Sequence, residues 1–225
     1  MKGKLIIIEA GDGSGKATQA EKLYNRLQTE KKMVRKVSFP DYKSDSSALI
    51  KMYLNGDFGD SPDAVNPYAA SAFYAVDRYA SYKKEWGDFY RQGGIIIADR
   101  YTTSNMVHQA VKIHLQEERD AFLDWLWDLE FIKFGLPIPD DVIFLDMPPV
   151  YSRMLREERA KAAGQIPDIH ERDEQYLRNC YVTYCSVAAK YHWHTVSCIR
   201  QDKVKTVEEI HEEIYQRIQL ITGSN

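Results

Sequence analysis

At 225 residues the chain has the length of one α/β domain able to bury its own core, and no stretch approaches the roughly twenty consecutive apolar residues of a membrane-spanning helix. Thirty Lys and Arg against 33 Asp and Glu leave a formal charge of −3, which excludes a global basic field for nucleic acid and requires any anion site to be a local cluster. Cys180, Cys185 and Cys198, odd in number and without metal-ligand spacing, point to buried packing in a reducing, cytoplasmic setting, and the first apolar run is too short for a signal-peptide core.

In chain order, KLIIIEAGDGSGKATQ (Lys4 to Gln19) reads as strand, phosphate loop and helix. Gly11, Gly13 and Gly15 let backbone N–H groups converge on phosphate oxygens, the helix N-terminus adds its positive dipole end, and Lys16 is placed to meet the terminal phosphates. The loop departs from G-x-x-x-x-G-K-[ST] twice: Ala10 stands for the first glycine and Ala17 for the last hydroxyl residue, with Thr18 one position later. Ala17 has no oxygen to offer magnesium. A glycine-rich turn in some other α/β protein is the plain alternative.

Four more apolar runs follow, Val34–Phe39, Ile95–Ala98, Val142–Leu145 and Trp193–Cys198, with helical patterns between most of them. Runs without alternation suit parallel strands buried on both faces, so a doubly wound sheet is expected, and no repeat or linker divides residues 1–225. Asn66–Arg91 predicts a long helix with Pro67 in its first turn and Tyr68, Ala72, Ala75, Tyr79 and Tyr82 mostly in the core. Arg119–Phe134, with Trp125 and Trp127, is a second helix whose aromatic side is core or a dimer face. Ligands of such sheets sit beyond the strands' carboxyl ends, where the third strand offers Asp99 and Arg100 and the fourth Asp146. Asp99 is the better magnesium candidate, in part through water. Arg153, Arg156, Arg159 and Lys161 then fall on a helical stretch running into AAGQIPD; spacing of three puts the arginines on one face, with a solvated face as the alternative because Glu157 and Glu158 sit among them.

EAGDGSGKATQ, FP at Phe39–Pro40, YAVDR at Tyr74–Arg78, DRYTTSN at Asp99–Asn105 and GLPIPDDVIFLDMPP at Gly135–Pro149 stand in the order found in thymidylate kinases, which the chain resembles over nearly its whole length. The resemblance implies a three-layer α/β/α P-loop sandwich with a five-stranded parallel sheet surrounded by helices, and an arginine-bearing lid over roughly residues 153–170. It implies a homodimer, ATP and dTMP as substrates, Mg2+ with the ATP, γ-phosphoryl transfer giving dTDP and ADP, and neither nucleic acid nor membrane as partner.

Residue by residue, the likeness assigns ATP to Gly11, Asp12, Gly13, Ser14, Gly15, Lys16, Ala17, Thr18 and Arg153. Arg100 grips the acceptor phosphate, a strand-end salt bridge being the plainer alternative. Because Asp12, Gly13 and Ser14 include no basic residue, the migrating phosphoryl is expected to meet a lid arginine, Arg156 or Arg159. Phe39 and Pro40 border the acceptor, Tyr74 stacks on thymine, Arg78 bonds its carbonyl, and Asn105 and Gln109 meet its edge. Asp12 faces the 3′-hydroxyl, and His108 crowds the 2′ position unless it is merely structural. No arginine accompanies FP, where only Lys43 is basic, so acceptor-phosphate binding is expected to be weaker or rearranged. Ala10 and Ala17 keep a second reading open, a nucleotide-binding regulator without turnover, and a third is a kinase of another pyrimidine deoxynucleotide such as dUMP.

Overall fold

In the first strand, β1 (Lys4–Glu9), both sides are apolar: Leu5 and Ile7 pack into one core, Ile6 and Ile8 into another. The structure, a computed structural model, describes residues 2–163 and 173–223, without the side chains of 158–163. β2 (Val34–Ser38), β3 (Ile95–Asp99), β4 (Asp141–Asp146) and β5 (His194–Ser197) join β1 in a five-stranded sheet of order β2-β3-β1-β4-β5, every neighbouring pair parallel. Each of the five predicted strands is present within a residue or two of its expected bounds. The winding changes side around β1, so the ends of β1 and β3 open onto the crevice where such sheets bind ligands.

The helices are α1 (Lys16–Thr29), α2 (Ala48–Asn55), α3 (Pro67–Ser81), α4 (Gly87–Arg91), α5 (Thr102–His108), α6 (Gln116–Trp127), α7 (Pro149–Ala163), α8 (Glu174–Lys190) and α9 (Val207–Thr222). Leu23 and Leu27 of α1 and Ile210, Ile214 and Ile218 of α9 cover one sheet face; Trp86, Phe122, Leu126, Tyr184 and Val187 cover the other. Sheet between two helical layers is the expected three-layer sandwich. A short hairpin, β6 (Ile199–Arg200) and β7 (Lys203–Val204), precedes α9.

The predicted helix 66–91 is continuous through a π turn at Tyr82–Trp86, and the second long helix also ends in a π turn, Asp128–Lys133, before Gly135 turns left-handed at φ 66°. The core face of α3 differs from expectation. Ala75 is buried and Tyr82 packs on the core as expected, but Tyr68 and Tyr79 are exposed, whereas Ala70, Ser71, Asp77 and Arg78 point inward. Its two charged residues are tolerated inside because they are bonded: Asp77 accepts from the Asp41 N–H (2.9 Å) and the Ser46 hydroxyl (2.6 Å), and Arg78 pairs with Glu130, whereas the Ser71 hydroxyl is buried without a hydrogen-bond partner. Trp125 and Trp127 are half-buried against the core cluster, and Cys185, expected to be buried with Cys180 and Cys198, is exposed.

Candidate functional site

The loop after β1 is shaped by two glycines in the left-handed region, Gly13 (φ 83°) and Gly15 (φ 77°). Gly15 is the N-cap of α1; no side chain caps that end and no acid stands in its first turn, so its amides face outward as an anion site. Ala10 needs no glycine, since its methyl is buried in the core beneath the loop. Gly13 is needed for a second reason. A Cβ there would lie 2.4 Å from Cγ of Arg156 and 2.7 Å from the Ser152 carbonyl oxygen, so α7 rests directly on the loop.

Arg156 donates to the Asp12 carbonyl (3.2 Å) and to Glu174 (2.8 Å), which lays its guanidinium across the loop. Arg153 is not brought there: it is exposed and bonded to Glu157 (2.9 Å) on its own helix. The Arg159 side chain, and residues 164–170 of the expected lid, lie outside the described residues. Ala17 and Thr18 are exposed at the start of α1.

Lys16 donates to Asp99 at 2.6 Å. Burial pushes the lysine pKa down and the charge of Arg100 adds to this, while Asp99 pulls it up. Arg100 follows β3 in a left-handed conformation (φ 71°), a strained state for a residue with a side chain and one concentrated at functional sites. The turn sends its guanidinium back to the Asp12 carboxylate and to the Ser104 hydroxyl (3.4 Å) and His108 Nε2 (3.1 Å). A guanidinium only donates, so Nε2 is the acceptor and the neutral imidazole carries its proton on Nδ1.

One carboxylate was not singled out from the sequence. Glu9, fully buried, accepts from Thr103 (2.6 Å), Ser104 (2.9 Å) and Tyr184 (3.1 Å). Burial pushes its pKa up, while Arg100, Thr103 and Lys16 pull it back. Its signal was a charge interrupting an apolar strand immediately before the glycines.

Two cavities meet over Asp12. The first, about 340 Å³, is bordered by Asp12, Phe39, Pro40, Tyr74, Arg78, Arg100, Asn105, His108 and Gln109, so every residue expected at the acceptor borders one cavity. Phe73, next to Tyr74, packs instead on the small cluster around α2 and on Phe58. The fork of Arg78 is held from behind by Glu130, through Nε (2.7 Å) and Nη2 (2.5 Å), and reaches the Asn105 Oδ1 at 3.3 Å. Asn105 Nδ2 and Gln109 Oε1, on two residues that border this cavity, are buried without a hydrogen-bond partner, a costly state. The second cavity, about 350 Å³, runs along Gly11 to Gln19 and ends against Met147, Leu155, Val204, Val207 and Ile210, an apolar slot of the kind that holds a flat base. Tyr151 of α7 bonds the Asp202 carbonyl in the β6–β7 turn (3.1 Å), tying α7 to that slot. Asp146 borders neither of these two cavities and accepts from Tyr181 (2.9 Å).

Residues 8–214 match the family model described as thymidylate kinase. A thymidylate kinase of Mycobacterium tuberculosis is 31% identical over 192 residues, 83% of this chain and 86% of that protein. One from Plasmodium falciparum is 24% identical over 217 residues, 96% of this chain and 90% of its own. The solved thymidylate kinase of Candida albicans superposes with a TM-score of 0.71 at 24% identity, covering 97% of this chain and 92% of that one, a likeness of fold.

Proposed function

Since the chain belongs to the thymidylate kinase family and is an ATP-dependent nucleoside monophosphate kinase converting dTMP to dTDP, we propose that the two cavities meeting over Asp12 hold acceptor and donor face to face. The shared wall carries this reading. Asp12 borders both cavities, with the phosphate loop on one side and Arg100 on the other, so phosphates entering from either end converge at one place.

The acceptor phosphate already bears the attacking oxygen, so the protein needs no strong base; its work is positioning and neutralisation. The α1 amides and Lys16 hold the donor phosphates, Arg100 turns from Asp12 to the acceptor phosphate, and Arg156 lies above both. As Arg100 turns to the phosphate, the Asp12 carboxylate exchanges that guanidinium for the sugar 3′-hydroxyl. Tyr74 stacks on the base, Asn105 Nδ2 and Arg78 donate to its carbonyls, and Gln109 Oε1 accepts from N3–H. His108, whose Nε2 already serves Arg100, stands beside the sugar.

Among the described residues no group of three His, Cys, Asp or Glu gathers to hold a metal ion, and Ala17 lacks a hydroxyl. Asp99 is the carboxylate that would hold Mg2+ arriving with ATP, directly or through water, and the ion would supply neutralisation of phosphate charge there. Lys16 exchanges Asp99 for phosphate when the donor enters. We further propose one functional unit over residues 1–225 acting as a homodimer in the cytoplasm. No described helix is long and apolar enough to cross a membrane.

The test is ADP formation from ATP and Mg2+ with and without dTMP, against Arg100→Ala. ADP that requires dTMP and is lost in the variant supports the assignment; equal rates with dGMP would sink the pyrimidine reading of the first cavity.

A further inference from the structure

Arg78 and Glu130 form a pair that is almost wholly excluded from solvent, at 1% and 0% exposure, yet only Arg78 borders the acceptor cavity. Glu130 takes both Arg78 Nε and Nη2, and its Oε2 also accepts from Thr102 at 2.7 Å, so both carboxylate oxygens are engaged and the group is fixed. It reaches this place from the π turn Asp128–Lys133, whose wider register carries Glu130 inward; the turn is closed by the Leu136 N–H on the Glu130 carbonyl (3.0 Å).

The bidentate grip leaves one edge of the guanidinium toward the cavity. There Nη1 makes only long contacts, to the Tyr101 carbonyl (3.4 Å) and to Asn105 Oδ1 (3.3 Å). Because the guanidinium donates and never accepts, it also dictates which way the Asn105 amide turns: Oδ1 toward Arg78, Nδ2 away. The result is two donors, Arg78 Nη1 and Asn105 Nδ2, beside one unpartnered acceptor, Gln109 Oε1. That pattern fits a 2,4-dioxo pyrimidine with a protonated N3 and mismatches a 4-aminopyrimidine, whose N4 donates and whose N3 accepts.

We propose that Glu130 is the positioning residue that sets base selectivity: without touching the nucleotide, it locks Arg78 and, through it, Asn105 into the arrangement that reads a dioxo pyrimidine. This rests on the assignment of the first cavity to dTMP. A neutral Gln at position 130 offers an acceptor and a donor in place of two charged acceptors, so it cannot hold both Nε and Nη2, and the Asn105 amide is freed to turn.

The experiment compares steady-state kinetics of the full chain and Glu130→Gln with dTMP and dCMP as acceptors. The expected result is a KM for dTMP raised about tenfold to a hundredfold with the KM for ATP unchanged, and a dTMP-to-dCMP ratio of kcat/KM reduced about tenfold or more. That ratio, read on one sample, cancels any loss of active fraction. Thr102→Val, which removes a different bond to the same carboxylate, is expected to keep the ratio. Where Glu130→Gln folds poorly, Glu130→Asp keeps the charge, withdraws it by one methylene and shifts the ratio the same way. Ratios unchanged in both, or loss of the fold in both, overturn the proposal; a parent protein that ignores dTMP overturns the cavity assignment instead.

Discussion

Replacing Gly13 with alanine tests whether α7 acts through its seat on the phosphate loop. The left-handed φ of 83° costs a residue with a Cβ about 1–2 kcal/mol, expected to lower Tm by about 2–8 °C in a chain of this size. The new methyl meets two obstacles of different kinds. Cγ of Arg156, at 2.4 Å, belongs to a flexible side chain and can swing aside; the Ser152 carbonyl, at 2.7 Å, is helical backbone and moves only with α7. Both are about 1 Å inside ordinary contact, so the arginine is displaced by about that distance. An arginine on a migrating phosphoryl is worth about 10³–10⁵ in rate, and a misplacement of about 1 Å costs on the order of 10². The expected outcome is therefore kcat down about a hundredfold with little change in KM for dTMP. A double-mutant cycle isolates the cause: Arg156→Ala alone loses at least as much, and adding Gly13→Ala to it loses almost nothing more. A Gly13→Ala enzyme within threefold of the parent kcat, or full additivity in the cycle, would refute the seat as the route.

Other outcomes follow from the same geometry. Ala17→Thr restores a hydroxyl beside Lys16, and half-maximal rate should then need several-fold less Mg2+; an unchanged titration would mean that position 17 does not bear on the metal. Tyr74→Ala should raise the KM for dTMP by about 5- to 150-fold, the worth of one base–aromatic stack of about 1–3 kcal/mol, with the KM for ATP steady. Burial pushes Lys112, bonded to the Tyr53 hydroxyl (2.8 Å) and the Val65 carbonyl (3.2 Å), down to about 8. The folded protein releases this proton before the unfolded chain does, so the parent should gain stability relative to Lys112→Met, by about 3 kcal/mol at most, as pH rises from about 8 to about 10.5. Denaturant melts at pH 7.5 and 10.5 measure the difference, and a gap that does not move between them removes the buried-amine account.

The strands were legible because burial on both faces leaves little room for polar residues: Leu5–Ile8 and Ile95–Ala98 read as runs with one possible role. The phosphate loop and Asp99–Arg100 were legible because each lies next to such a run. The inward face of α3 was not, because apolar spacing favoured its tyrosines while Asp77 and Arg78 find their partners 36 and 52 positions away. Glu130 had no signal at all, since a π turn breaks the 3.6-residue period by which helical faces are read. Arg153 and Arg156 shared one pattern, and only the seat of α7 on Gly13 separates the one near the loop from the one in solvent.

Lys16 with Asp99, Arg100 with Asp12 and Arg156 with Glu174 give the crevice its own counter-ions. On the proposed assignment of the two cavities, nucleotide entry is an exchange of anions, each cation leaving a carboxylate as it takes a phosphate oxygen, and affinity is the difference between two sets of similar bonds. A lone inorganic anion meets one cation and gains little by the swap. A nucleotide engages several at once and adds the contacts of base and sugar, so the site favours whole substrates over the free phosphate around it. The expelled carboxylates remain close by, ready to reclaim their cations and help the products leave.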